Sequence, residues 1–112
     1  MSALKHASWP LADLQWEEKA SAKPFHIFLD NPTMRAEYLE YPAGHVDTQQ
    51  PHDWDELYYI ISGAAQFTAN DETYTVAKGD NIFVAAHQPH RFHDITDTLE
   101  VIVFFSKAEP HS

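Results

Sequence analysis

Two short segments hold the residues of this chain that can do chemistry. The first, GHVDTQQPHDWDELYYIISG (44–63), contains Gln50, His52 and Glu56; the second, GDNIFVAAHQPHRFHD (79–94), contains His87, His90 and His93. Gln50 and His52 are two apart, so on a strand they share a face. Glu56 opens the apolar run Leu57–Ile61. A carboxylate in such company is costly to bury unpaired, and a cation neutralises it. Two imidazoles and one carboxylate form a recurring metal-binding set with open coordination positions. Each residue also has a plainer role open to it. His52 and His90 can be surface or hydrogen-bonded core histidines, Glu56 a solvent-facing strand end, and His52 and Glu56 a simple pair. His87 suits either a hydrogen-bonded rim position or a general acid or base at a pocket mouth. His93, three residues from His90, faces the opposite way on a strand. Asp53 and Asp55 belong to a solvated loop, or else orient His52 from behind.

Composition narrows the partners. Cysteine is absent, which excludes disulfides, thiolate zinc sites and cysteine nucleophiles. Seven basic residues stand against seventeen acidic ones, a formal net charge of −10. That balance argues against nucleic acid and against anionic membranes. No stretch reaches the length of an apolar membrane span. Residues 1–23 lack the apolar segment of a signal peptide, so the chain reads as cytoplasmic. Phosphate-binding glycine loops and nucleophile elbows are missing; Ser62-Gly63 reads as a turn.

The elements that must position these residues are β-strands. The 112 residues suit one domain, with enough aromatic and aliphatic side chains for one core. Phe25–Leu29, Met34–Tyr41, Glu56–Ser62, Ala65–Ala69, Thr73–Ala77, Asn81–Ala85 and Leu99–Phe105 read as strands, with turns at Asp30-Asn31-Pro32, Pro42-Ala43-Gly44, Gly63, Asn70-Asp71 and Lys78-Gly79-Asp80. Leu57–Ile61 suits a strand buried on both faces, with Tyr38, Tyr58, Phe67, Phe83, Phe92 and Phe105 mainly core. Residues 1–24 form an N-terminal arm: a short helix from Pro10 to about Ala20, or an extended segment across the barrel. Many short strands without long helices between them predict an all-β sandwich or barrel over 25–112.

With those residues in view, the first segment resembles cupin motif 1, G-x5-H-x-H-x3,4-E-x6-G, as Gly44-x5-Gln50-x-His52-x3-Glu56-x6-Gly63. Every spacing is met, with Gln50 in place of the first histidine. The second resembles cupin motif 2, G-x5-P-x-G-x2-H-x3-N, as Gly79-x5-Ala85-x-His87-x2-His90-x3-Asp94. Here Ala85, His87 and Asp94 replace Pro, Gly and Asn. The resemblance implies a double-stranded antiparallel β-barrel, the jelly-roll cupin of the RmlC-like superfamily. It implies a divalent metal (Fe, Mn, Ni or Zn) on Gln50, His52, Glu56 and His90, with Gln50 a neutral and weaker ligand. It also implies a small-molecule ligand inside the barrel and a homodimer, for which Leu99–Phe105 and the arm carry apolar residues. A metal-dependent oxygenase, isomerase or lyase, with His87 as base, is the expectation. A non-catalytic binding module is the alternative, and a metal-free structural barrel comes third.

Overall fold

The computed structural model describes residues 4–49 and 51–108. Helix α1 (Leu11–Ser21) is followed by strands β1 (Phe25–Asp30), β2 (Met34–Tyr41), β3 (Asp55–Ala69), β4 (Glu72–Ala77), β5 (Asn81–Val84) and β6 (His90–Ser106). All pairings are antiparallel, in the order β1-β2-β6-β3-β4, with β5 also on β3. The sheet curls on itself as a jelly-roll barrel without a closing hydrogen-bonded seam.

Two long strands organise it. β3 and β6 run side by side from Asp55↔Ser106 to Ala69↔His90, with register shifts between Ile60 and Gln66. The shifts bend both strands, so their far halves fold back over their near halves. Phe67 and Phe92 of the far half thereby meet Tyr58 of the near half, at ring-centroid distances of 5.7 and 5.3 Å. Tyr58, Phe67, Phe92, Leu99 and Val101 are fully buried at the centre of this packing.

Gly63, expected as a strand end, is instead the pivot of one continuous strand. Its φ is +92°, and a Cβ there would sit 2.3 Å from the Thr98 carbonyl oxygen. His90 likewise lies on the same strand as Leu99–Phe105, not on a separate segment.

The apolar run of β3 is buried on one face only. Glu56, Tyr58 and Ile60 point inward; Leu57 and Tyr59 remain partly exposed on the outer face. On β6, Leu99, Val101, Val103 and Phe105 are core, leaving Phe104 outside. Phe83, expected as core, is 64% exposed.

Of the two forms open to the arm, the helix is the one found. Leu14 is buried, while Leu11 lies toward solvent. The helix covers the outer face of β1 and β2. Glu100 anchors it, accepting hydrogen bonds from Gln15 (2.7 Å), Tyr38 (2.5 Å) and Ser62 (2.7 Å). Burial raises the Glu100 carboxyl, but these bonds outweigh it and hold the group below the ordinary carboxylate range.

Gly63→Ala should lose about 3 kcal/mol or more in urea unfolding, since backbone must move. Gly79→Ala, whose φ is +90° but which has open space around it, should lose about 1–2 kcal/mol. Equal losses would show that conformation alone, not the approach to Thr98, makes Gly63 necessary.

Candidate functional site

The bend in β3 and β6 brings the two chemical segments together. Glu56 stands at the inner start of β3 and His90 at the start of β6, both almost wholly buried. His90 Nε2 lies 3.1 Å from Glu56 Oε2, and His52 Nε2 lies 4.0 Å from Glu56 Oε1. His52 comes from the loop before β3 and packs edge-on against Phe105, with ring centroids 5.0 Å apart. The residues around it are loop rather than the strand expected, so two-residue periodicity does not apply there. Gln50 lies outside the described residues. Among those described, no three His, Asp or Glu side chains stand as a ready-made metal-holding group.

Two further residues complete the cluster, and neither was singled out from sequence as part of the site. Tyr58, read there as core, places its hydroxyl 2.9 Å from Glu56 Oε1, 3.0 Å from His90 Nε2 and 3.2 Å from Gln49 Oε1. The signal for it was available: two residues beyond Glu56 on a strand, it must share its face. Gln49 is fixed by Asp47, which accepts from the Gln49 side-chain amide at 2.7 Å, from its backbone N–H at 3.1 Å and from Phe92 N–H at 2.9 Å. That turns the Gln49 oxygen toward Tyr58.

Proton accounting shows what this cluster lacks. His90 Nδ1 lies 2.7 Å from the Gln88 carbonyl, which only accepts, so Nδ1 carries a proton. In a neutral ring, Nε2 then presents a lone pair to the Glu56 carboxylate. Around that point gather both Glu56 oxygens, His90 Nε2, Gln49 Oε1 and the Tyr58 oxygen, with one hydroxyl proton among them. Acceptors facing acceptors need a cation, either a proton on His90 or a metal ion. Burial lowers the His90 pKa, but the bond to Glu56, helped by the Gln88 carbonyl, outweighs it and holds the ring above its ordinary value. Burial, then the Glu56 charge, pushes Tyr58 well above the tyrosine range, so its hydroxyl keeps its proton.

The remaining candidates sit outside this cluster. His87 is 63% exposed in its side chain and lies 3.4 Å from Asp53. Its φ of +69° explains why the motif favours glycine there. Its backbone N–H bonds the His52 carbonyl at 2.7 Å, tying the two segments together. Asp55 accepts from Ala86 N–H at 2.9 Å, stitching the same turn to β3. His93 faces away, between Thr68 (2.7 Å) and Asp94 (2.8 Å).

His52, Tyr58 and Gln49 of this cluster line a cavity of about 390 Å³, with Glu56 and His90 behind them. Phe25, Ile27, Leu39, Val103 and Phe105 give it apolar walls, while Arg35, Glu37, Asp47, Gln49, His52 and Tyr58 supply polar groups. Burial raises the Glu37 carboxyl against the pull of neighbouring Arg35.

A bent antiparallel barrel with a buried His–Glu cluster facing its interior defines a class, and the comparisons agree. Residues 37–106 match the model of the cupin domain, and the chain belongs to that family. An uncharacterized protein of Streptomyces coelicolor is 37% identical over 99 residues, 88% of this chain and 94% of that protein. Among solved structures, the DMSP lyase DddQ of Ruegeria pomeroyi is similar with a TM-score of 0.70 at 18% identity. That match covers 79% of this chain, which spans about half (48%) of the lyase chain. KdgF from Halomonas sp. has a TM-score of 0.63 at 22% identity, covering 75% of this chain and 78% of that one. At these identities the likeness is one of fold.

In the metal-free protein, the His90–Glu56 pairing contributes stability that is fully present below pH ~6.5 and fades as pH rises through the raised His90 value. Glu56→Gln should lower the His90 pKa, because burial is then opposed only by the Gln88 carbonyl and the Asp47 charge. NMR titration of the His90 ring checks this; an unchanged value contradicts the assigned pairing.

Proposed function

We propose that this cupin binds one divalent metal at the inner cluster and acts on a small organic molecule in the adjoining cavity. The observation that carries the reading is the convergence of a buried carboxylate, an imidazole Nε2 and two further oxygens on one point that needs a cation. Imidazole and carboxylate donors suit Fe, Mn, Ni or Zn. His52, Glu56 and His90 would hold the ion, and Gln50 is proposed as the fourth, weaker ligand. The metal would act as a Lewis acid on a bound oxygen, or supply redox chemistry if it is iron. The protein's own share is the apolar wall, the imidazole tautomer fixed by Gln88, and one proton held on Tyr58 Oη. Tyr58 is the inner candidate for proton transfer. His87, on the rim beside Asp53, is the outer one. Oxygenase, isomerase and lyase chemistry all accord with this arrangement, which by itself does not choose among them. The second reading, capture of a ligand without turnover, draws support from Gln50 in the place of a histidine.

Elemental analysis of protein purified without chelator should give about one metal per chain. His52→Ala and His90→Ala should each lower metal affinity by about tenfold or more while keeping the barrel's circular dichroism. Metal content unchanged in both variants sinks the site. His87→Gly should retain metal and lose no stability, since it relieves a left-handed backbone.

We also propose a homodimer. Helix α1 covers one half of the outer sheet face; on the other half Phe83, Leu57, Tyr59 and Phe104 lie bare. Phe83, Leu57 and Phe104 form one cross-strand row, uninterrupted by charge. Together the four expose about 400 Å² of apolar surface, at the scale of a functional patch. Two chains of net charge −10 repel, so an uncharged face is where copies can meet. Two such patches with their rims approach the ~1,200 Å² of a small stable interface. Light scattering should report a dimer for the parent and a monomer for Leu57→Asp/Phe83→Asp. A monomeric parent contradicts the proposal.

A further inference from the structure

The barrel interior carries a second polar group that the metal reading leaves unused. Arg35, on β2, is the one Lys or Arg among the described residues lining the cavity. The strand registers fix its relation to the cluster. Glu56 on β3 and Arg35 on β2 both pair with Phe105 of β6, so the three form one inward-facing row. Two strand spacings put the Glu56 and Arg35 backbones about 10 Å apart, with the Phe105 ring between.

The Arg35 head is held ready. Its guanidinium carbon lies 5.2 Å from the Trp54 ring centroid, Nη2 is 3.3 Å from Asp30, and Nη1 is 3.7 Å from Glu37. Lys107 also reaches Asp30, so that carboxylate is shared between two cations. The hydrogen bonding of Arg35 is incomplete: the Glu37 contact is long, and Nε is buried without a partner. Nη2 is held by Asp30, while Nη1 has only the long Glu37 contact, so a planar anion entering the cavity can be received on Nη1.

We propose that the cavity takes a small organic acid, its carboxylate on the Arg35 guanidinium and its other, oxygen-bearing end at the His52–Glu56–His90 cluster. The second half of this statement rests on the metal reading; the first does not. The cavity volume, about 390 Å³, and the ~10 Å separation favour a short hydroxy or oxo acid lying across Phe105. A neutral sugar or a phenol without an acid group brings Arg35 no carboxylate beyond Asp30 and Glu37. Glu37 opposes the anion and limits affinity, so removing its charge should help.

The test is thermal shift and calorimetry with 3-hydroxybenzoate and 3-hydroxybutyrate, each beside its uncharged amide, with and without Mn(II). The acids should stabilise the protein and the amides should not. Arg35→Met should weaken the acids by about tenfold or more, Arg35→Lys by less, and Glu37→Gln should tighten them severalfold. Should Arg35→Met fail to fold by circular dichroism, the gain in Glu37→Gln and the acid–amide difference decide the matter. Equal response to acids and amides, acid binding by folded Arg35→Met as tight as the parent's, or no response to any acid overturns the proposal. Mn(II) content of the same samples reports on the metal separately. Acids that bind through Arg35 in protein that takes up none of Mn(II), Fe(II), Ni(II) and Zn(II) leave the carboxylate site standing and remove the metal reading.

Discussion

The rest of this structure depends on one buried carboxylate. Glu56 is 2% exposed inside a barrel whose core is mainly aromatic and aliphatic. Desolvating a carboxylate costs several kcal/mol unless its oxygens are answered. The fold answers them with groups drawn from distant parts of the chain: Tyr58 from its own strand, His90 from β6, and His52 from the loop before β3. Each is fixed by a partner of its own. Gln88 sets the His90 tautomer, Asp47 sets the Gln49 amide, and the His87 backbone holds the His52 carbonyl. The acceptors gathered at the centre of this network are therefore placed by the fold rather than by one rotamer.

That arrangement is possible only because β3 and β6 bend. In a flat sheet, Ala69 and His90 would lie a full strand length from Asp55 and Ser106. The bend at Gly63, where the backbone passes against Thr98, folds Phe67 and Phe92 over Tyr58 and sets His90 above Glu56. The glycine that closes the first motif is thus part of the site's geometry without contacting it. The spacing between Glu56 and Gly63 measures the strand length needed before the turn back.

The legible part of this site was the part encoded by spacing. His52, Glu56 and His90 stood at fixed separations, and the structure brings them together. Tyr58 and Gln49 were hidden for a physical reason: an aromatic within Leu57–Ile61 is read as filling, because sequence shows that a residue is apolar in bulk but not where its hydroxyl points. The same run misled in another way. Five consecutive apolar residues suggested burial on both faces, whereas the strand alternates and Leu57 and Tyr59 face outward. Periodicity cannot separate a doubly buried strand from one whose outer face is apolar yet exposed. The continuity of β3 through Gly63 was missed because glycine with positive φ ends strands more often than it bends them, and only the approach to Thr98 distinguishes the two.

The interior is consequently polar at two places and apolar between them. At one, acceptors outnumber protons; at the other, Arg35 brings donors that Asp30 and Glu37 only partly use. Left to themselves these opposite imbalances would attract, yet the strand order holds them two strands apart with Phe105 in the gap. A fold selected for stability alone would gain by letting them pair or by replacing both with apolar side chains. Keeping an acceptor-rich end and a donor-rich end separated across an apolar floor makes sense when something else bridges them. On the proposed reading, the bridging molecule carries its charge at one end and a coordinating oxygen at the other.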